Sequence, residues 1–468
     1  MTKNHLLLAF AAASILNLNA AFAQDAGPVR MRLSPEEAVG LAIKNNLTLE
    51  RQRIGTDTKR RASDYVWNQF LPTVNLSGGA SLNSQNQTTK YDPPTVLTDK
   101  QTTDVFATGY QGQIQAQLNI NMAMFEGIKS IKMDYEGGLL SLEQAKLQLE
   151  RDVRKAYFEI LLVEEQLKQL LESQRNAEDQ ARSAETQYRA GRQPELNYLQ
   201  ARVSADTMKP SIDQASNGLR LAKSNFAMTL GLPLDTDFEL SNPAGEVRYV
   251  PLDPQALVRQ ARDNNPEILV QKQQLRTLMS QRKAQVYQKK TPNLSLGWTG
   301  GLSGSGSKSE SDPASPQANS PQNSDVFSTS STFTLGLSYS LMSLFPFSLD
   351  AQSVKDLDNN VKTASIGLTQ AEQGVELDIT NRVYTLEQIR SSIEAQRATA
   401  ALAERSYSET LRAYNGGLQN LLQVQSAELQ LRTARLNLYQ QESGYLQGLI
   451  DLEYSIGAPF GSLSSRPE

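Results

Sequence analysis

The chain is written twice, and that limits the folds open to it more than any local motif does. Leu33, Pro35 and Glu36 are matched by Leu252, Pro254 and Gln255, and each set leads to an asparagine pair, Asn45-Asn46 and Asn264-Asn265. Each half then reaches a proline at a helix-to-strand switch, Pro72 and Pro292. A tyrosine three residues before a glycine follows, Tyr188 with Gly191 and Tyr414 with Gly417. A glycine and proline stop closes each half, Gly231 with Pro233 and Gly457 with Pro459. Pro35 and Pro254 are 219 residues apart and Gly231 and Gly457 are 226 apart, a drift of only seven. Five landmarks in one order at that spacing predict a tandem duplication. The first repeat is read as 24–231 and the second as 252–457, with 232–251 a linker at the equator and 458–468 a C-terminal tail.

Inside each half the periodicity changes from two to helical. Residues 113–122 place Gln113, Gln115, Gln117, Asn119 and Asn121 on one face and Ile114, Ala116, Leu118, Ile120 and Met122 on the other. That alternation predicts a strand with one wet and one apolar side. Residues 332–341 repeat it through Phe333, Leu335, Leu337, Tyr339 and Leu341, and 72–82 and 292–302 alternate more weakly. One such strand fits a soluble antiparallel sheet. Four, in a chain whose helices offer no obvious sheet-covering face, match outer-membrane barrel strands. Residues 83–104 and 303–325, rich in Ser, Thr, Asn, Gln, Gly and Pro, read as polar loops.

The rest reads as helix. Residues 128–189 contain no proline, and Leu142, Leu149, Val153, Ile160, Leu167 and Leu170 step at coiled-coil spacing. At 1.5 Å per residue this stretch spans about 93 Å. The second copy runs over 349–414. Shorter helices are predicted at 47–70 and 195–230, and again at 267–290 and 420–456. Each short pair sums to nearly the length of the unbroken helix. Pro210 predicts a bend in the first returning helix, and Leu436 at the corresponding place predicts none in the second.

Composition removes most alternatives. The formal charge is −4, and −5 once residues 1–23 leave with Lys3, so no basic surface for nucleic acid is expected. Cysteine is absent and the single histidine is His5. Cys/His zinc sites, disulfides and Ser-His-Asp or Cys-His nucleophiles cannot be built after residue 23, so no catalytic, cofactor or metal site is expected. Residues 1–23 read as a signal peptide, with Lys3, an apolar stretch over 6–16 and an A-x-A site at Ala21 to Ala23. Without a cysteine at that site no N-terminal lipid anchor is expected. The glycine-rich run 301–309 lacks the lysine spacing of a phosphate loop and reads as a surface loop.

The duplicated halves carry two strands each, a Leu71-Pro72 step before the first strand, and Tyr-x-x-Gly at each hairpin. Ala201 and Ala427 lie ten residues past those glycines. Together these features resemble the TolC, or outer-membrane efflux protein, family over essentially the whole chain after residue 23. The resemblance implies an α+β membrane protein: a trimeric channel-tunnel with a 12-stranded outer-membrane β-barrel, four strands per chain. A long periplasmic α-helical coiled-coil barrel continues it. Independently, four strands cannot close, and an open edge in lipid leaves backbone groups unpaired. Oligomerisation follows from that argument, and a homotrimer from the resemblance.

The resemblance also implies a passive exit duct of a tripartite efflux or type I secretion system. It would sit in outer-membrane lipid with most of the chain in the periplasm. A periplasmic adaptor would couple it to an inner-membrane pump of RND or ABC type. The adaptor-docking tips carried onto this sequence are Gly191, Arg192, Gln193 and Glu195, and Gly417, Leu418, Gln419 and Asn420. Hairpins around Gly191 and Gly417 would untwist as an iris. Many relatives carry aspartates six and nine residues past the tip glycine. Here the entrance positions are Asn197, Gln200, Gln423 and Ser426, all uncharged. Weak divalent-cation binding is expected there, because hard cations favour charged oxygen ligands. Gln113, Gln115, Gln117, Asn119 and Asn121 are expected to line a wet barrel lumen. The rival readings are a trimeric coiled-coil adhesin or envelope tether without transport, and a secreted hydrolase using carboxylates. Neither accounts for amide-faced strands at these two places.

Overall fold

The computed structural model describes residues 31–90, 100–241, 249, 251–311, 322–416 and 418–463. The predicted signal segment 1–23, linker residues 242–248 and 250, the tip residue Gly417 and the end of the tail lie outside the described residues. In chain order the elements are β1 (Met31–Leu33), α1 (Pro35–Asn45), α2 (Leu47–Asp64), a 3-10 turn (Val66–Phe70), β2 (Thr73–Lys90), β3 (Lys100–Ile120) and α3 (Met122–Arg189). Then come α4 (Glu195–Asp206), α5 (Lys209–Leu230), β4 (Phe238–Leu240), α6 (Pro254–Asn264), α7 (Pro266–Lys290), β5 (Asn293–Ser311) and β6 (Gln322–Ser338). A second 3-10 turn (Leu341–Leu344), α8 (Leu349–Asn415) and α9 (Leu421–Ile456) complete the chain. The order short helix, helix, two strands, long helix, returning helix occurs twice. No described helix is long and apolar enough to cross a membrane.

The sequence landmarks are helix ends and the contacts between them. Ser34 caps α1: its Oγ accepts from the Glu37 N–H at 3.3 Å, and Glu37 Oε2 accepts from the Ser34 N–H at 2.8 Å. Pro35 occupies the first turn, where a missing N–H costs nothing. Asp253 caps α6 without the reciprocal bond, accepting from the Gln255 N–H at 3.0 Å. The second asparagine of each pair turns the chain into the next helix and ties it to the returning one. Asn46 Nδ2 donates to the Thr229 carbonyl at 2.9 Å, and Asn265 Nδ2 to the Ser455 carbonyl at 2.7 Å. The returning helices stop there on Gly231 and Gly457, at φ of 71° and 64°. A Cβ on either glycine would collide with the backbone of Asn45 or Asn264. The asparagine pair and the glycine stop, nearly two hundred residues apart in each half, are therefore one joint.

The chain forms two compact units, each taking segments from both halves. The first holds residues up to Gln52, Glu143–Asn265 and those from Gly374 onward. Its cores are paired across the repeat. Ala42, Val153, Ile160, Phe226 and Leu230 are buried together in one half, and Ala261, Ile379, Leu386, Leu452 and Ile456 in the other. One departure is Tyr157, whose buried hydroxyl donates to the Leu33 carbonyl at 2.7 Å and pins the parallel β1–β4 pair, while the equivalent Val383 is apolar. Lys155 of α3 meets Asp451 of α9 at 2.8 Å, and Arg382 of α8 meets the same carboxylate at 3.2 Å.

The second unit, Arg53–Leu142 and Pro266–Gln373, contains the four-stranded antiparallel sheet, ordered β2-β3-β5-β6. Its strands have 17 to 21 residues, about twice the predicted length. Most of 83–104 and 303–325, expected as loops, is paired strand: Asn86 lies opposite Asp104, and Ser305 opposite Val326. Serine, threonine, glutamine and glycine leave no apolar face to alternate, so these segments hid their period while the backbone ladder simply continued. The predicted starts and ends shift as well. Asn121 and Met122 leave the strand, α3 begins at Met122 rather than near 128, and β6 stops at Ser338. The bend expected at Pro210 is a break between α4 and α5 at 207–208, whereas α9 runs unbroken for 36 residues.

Candidate channel-forming surfaces

The strand register sorts side chains into two faces. Rows across the sheet read Val74, Ala116, Trp298, Phe333, then Leu118, Leu296, Leu335, then Ile120, Leu294, Leu337. Val74, Leu76, Phe333, Leu335 and Leu337 are exposed in the single chain, an apolar face without cover. The opposite rows read Thr73, Gln117, Gly297, Thr334, then Asn75, Gln115, Thr299, Thr332, then Ser77, Gln113, Gly301, Ser330. Hydroxyls, amides and glycines fill that face.

No charged residue falls on either face within 65–89, 105–125, 291–307 or 326–349. Charge returns together at the far end with Asp104, Lys308 and Asp325, which share the strand parity of the apolar face. At the near end it returns with Asp64, Glu126, Lys290 and Asp350. Tyr110 and Phe327 stand just inside the far charges, and Phe106 lies directly opposite Lys308. Tyr110 lies over Gly304, its direct cross-strand partner, where a side chain would collide with the ring. The bare apolar rows and the amide face are the features the strand pattern pointed to, without the extra length.

Of the predicted lumen residues, Gln113, Gln115, Gln117 and Asn119 share the polar face. Asn121 does not. Its side-chain oxygen accepts from the Met124 N–H at 3.0 Å, capping the long helix α3 where it leaves the sheet. Asparagine suits that place because its short carbonyl reaches an N–H two or three residues on.

The hairpin tips lie at the other end of α3 and α8. Gly191 takes φ 68°, and the Arg192 N–H reaches back to the Gln187 carbonyl at 2.9 Å, the bond that closes a Schellman turn. The Leu418 N–H makes the equivalent bond to the Ala413 carbonyl at 2.9 Å. Arg192, Glu195, Leu418 and Gln419 are exposed. Gln193 Oε1 accepts from Asn197 Nδ2 at 3.2 Å. Asn420 and Gln423 cap each other reciprocally: Asn420 Oδ1 takes the Gln423 N–H at 3.0 Å and Gln423 Oε1 the Asn420 N–H at 3.3 Å. The two tips meet where Leu421 packs on Ala181, Ala184 and Ala201 beside Tyr198 and Tyr414. Alanine at those positions lets the helices approach closely.

Gln200 and Ser426 are exposed on the first turns past the tips. Sequence reasoning missed two features beside them. Leu196, Leu199 and Val203 on α4, and Leu422 and Leu429 on α9, form exposed apolar stripes whose three-to-four spacing was readable in the sequence. Glu428, two residues past Ser426, accepts from Asn176 Nδ2 of α3 at 3.1 Å in a partly buried setting. Burial pushes its carboxyl up, while Asn176, Ser173, Gln180 and the charge of Arg432 pull the other way. Nothing in the spacing of polar residues marked it as an inter-helix contact.

Among the solved structures that share this fold are three channel proteins. CusC is 18% identical with a TM-score of 0.67, covering 94% of this chain and 96% of that one. The CmeC outer membrane channel of Campylobacter jejuni is 16% identical with a TM-score of 0.66, covering 90% and 85%. The MtrE outer membrane channel of Neisseria gonorrhoeae, in its open state, is 15% identical with a TM-score of 0.60, covering 91% and 89%. At such identities the likeness is one of fold. No curated protein sequence matches the chain. The outer membrane efflux protein family, in contrast, matches it once in each half, over residues 38–231 and 257–458. The chain thus belongs to the outer membrane efflux protein family.

Proposed function

We propose that this chain, as a homotrimer, forms the outer-membrane channel of a tripartite efflux or type I secretion system. The observation that carries the reading is the charge-free stretch of the sheet, with one apolar and one amide-and-hydroxyl face. From the Tyr110 row to the Ile120 row is about 34 Å of strand at roughly 3.4 Å per residue. At the ~45° tilt of membrane strands that is about 24 Å, the height of the apolar band of an outer-membrane barrel. The sheet ends on unpaired edges at β2 and β6. Three copies of four strands would close a 12-stranded barrel and satisfy both edges. The element order and paired cores support a tandem duplication with repeats at 24–231 and 252–457.

In this reading the amide face lines the lumen and the protein catalyses nothing. It offers a passive exit for cargo delivered by an inner-membrane pump, of RND or ABC type, through a periplasmic adaptor engaging Gly191, Arg192, Gln193, Glu195, Gly417, Leu418, Gln419 and Asn420. Asn197, Gln200, Gln423 and Ser426 form the periplasmic entrance. Accumulation of an amphiphilic fluorescent dye tests the efflux branch. Cells lacking the gene retain more dye, and the intact gene restores export. A Leu418→Asp copy that still reaches the outer membrane does not. Equal dye content with and without the gene excludes small-molecule efflux and turns the test to proteins in the culture supernatant. Absence of any conductance from the purified protein in lipid bilayers would favour the tether reading instead.

A further inference from the structure

The drift between the two halves, seven residues net, enters mainly at one point, where the offset jumps by nine. Thr73 and Asn293, the first residues of β2 and β5, are 220 apart, and Ile120 and Ser338, the last of β3 and β6, are 218 apart. Met122 and Leu349, the first residues of the long helices, are 227 apart. In the first half β3 passes into α3 with Asn121 alone between them. In the second half ten residues, 339–348, separate β6 from α8.

Those extra residues are apolar and shaped. The outward parity of β6 runs on from Leu335 and Leu337 to Tyr339 and Leu341, all exposed. The 3-10 turn Leu341–Leu344 packs against α7, and the Phe345 N–H closes on the Met342 carbonyl at 3.1 Å. Pro346 then fixes the backbone between Phe345 and Phe347, whose rings meet at 5.5 Å. Buried Ser348 ends the segment by accepting from the Ala351 N–H at 3.1 Å, capping α8. Within this pinned turn Phe347 and Leu349 are 83% and 82% exposed. Aromatic and aliphatic side chains held out so fully by a rigid backbone need an apolar neighbour. The run 326–349 carries no charge, and Asp350, the first, is paired with Lys289 at 2.7 Å.

We propose that the β6–α8 junction is a lipid-inserted wedge, in which Leu341, Met342, Phe345, Phe347 and Leu349 enter the periplasmic leaflet of the outer membrane at its acyl–headgroup boundary. The inference rests on the channel reading above, since it extends the lipid face of β6. Its occupant is the bilayer because the junction continues that bare apolar face without an intervening charge. Interfacial aromatics gain most from such a boundary. The first repeat has no such segment, so each chain carries a single wedge.

The chain has no cysteine, so single cysteines can be placed for spin labelling. Full-length protein carrying Phe347→Cys, Leu337→Cys or Leu418→Cys, each nitroxide-labelled, is reconstituted in phospholipid vesicles. Collision with oxygen is then compared with collision with a water-soluble nickel chelate. The wedge predicts that labels at 347 and 337 relax several-fold more with oxygen than with nickel, and that the label at 418 does the reverse. Nickel dominating at 347 places the turn in water and overturns the proposal. Low collision with both reagents at 347 places it against a neighbouring chain and overturns it equally. If the label at 337 also fails to favour oxygen, the membrane reading of the sheet itself falls. If 337 behaves as lipid-facing and 347 does not, only the wedge falls.

Discussion

Asn420 and Gln423 show how a polar residue near a functional tip can be spoken for by the backbone. Their reciprocal bonds satisfy two N–H groups at the start of α9. Asn420→Ala is expected to cost about 1 kcal/mol of local stability, read as faster amide exchange in the first turn of α9. Unchanged exchange would free Asn420 for a purely binding role. Glu428 adds a pH dependence. Burial raises its carboxyl above the ordinary value, so the folded hairpins hold its proton longer than the unfolded chain does. Its contribution is most favourable in acid and is lost as pH rises from the ordinary carboxylate range through the raised folded value. Glu453, raised by burial while accepting from the N–H groups of Gly461 and Leu463, acts with the same sign farther along α9. Local amide exchange separates them. Glu428→Gln should flatten the pH slope around 173–180 and 424–432 and leave that around 453 intact. A slope that survives the substitution removes Glu428 as its source.

At the scale of elements, the joint between the asparagine pair and the glycine stop holds each half at its fold-back. Gly457→Ala forces a side chain into left-handed backbone and against Asn264. A loss of at least about 2 kcal/mol is expected, seen as a lowered Tm of the detergent-solubilised protein, with Gly231→Ala behaving alike. Gly218→Ala, which meets open space inside α5, serves as the control and should hold or raise the Tm. The long helices and the break near Pro210 were legible because prolines and stripes are local signals: Pro210 and the Leu149-to-Ile160 steps act within a turn or two, whereas α1, α6 and the early start of α3 were not expected. Strand existence was legible where Ile114, Leu118, Phe333 and Leu335 alternate with amides. Strand length was not, because beyond Tyr110 the few apolar residues, Val105, Phe106, Ala107 and Val326, do not keep to one face. Only the register, in which Ser307 finds Ser324 and Asn86 finds Asp104, shows that the ladder persists.

For the whole molecule, the prediction is electrical. In the proposed trimer, with uncharged Asn197, Gln200, Gln423 and Ser426 at the proposed entrance, millimolar calcium or magnesium should leave the conductance in lipid bilayers nearly unchanged. Strong block would demand another carboxylate in the path. What the sequence alone pointed to is two halves of like order, the long and returning helices and the two-faced strands, because each is carried by residues close together or by a period repeated along the chain. The tertiary structure decided the rest. It brought Asn45 onto Gly231, turned Asn121 from a lumen residue into a helix cap, doubled the strands and set Glu428 between α3 and α9. It also located the drift between the halves mainly at one apolar turn. Apart from the Asn121 cap, which is local and was hidden by the strand alternation running into it, these depend on contacts between residues far apart in sequence, and no local pattern of hydrophobicity or propensity encodes a partner that the chain reaches only after folding.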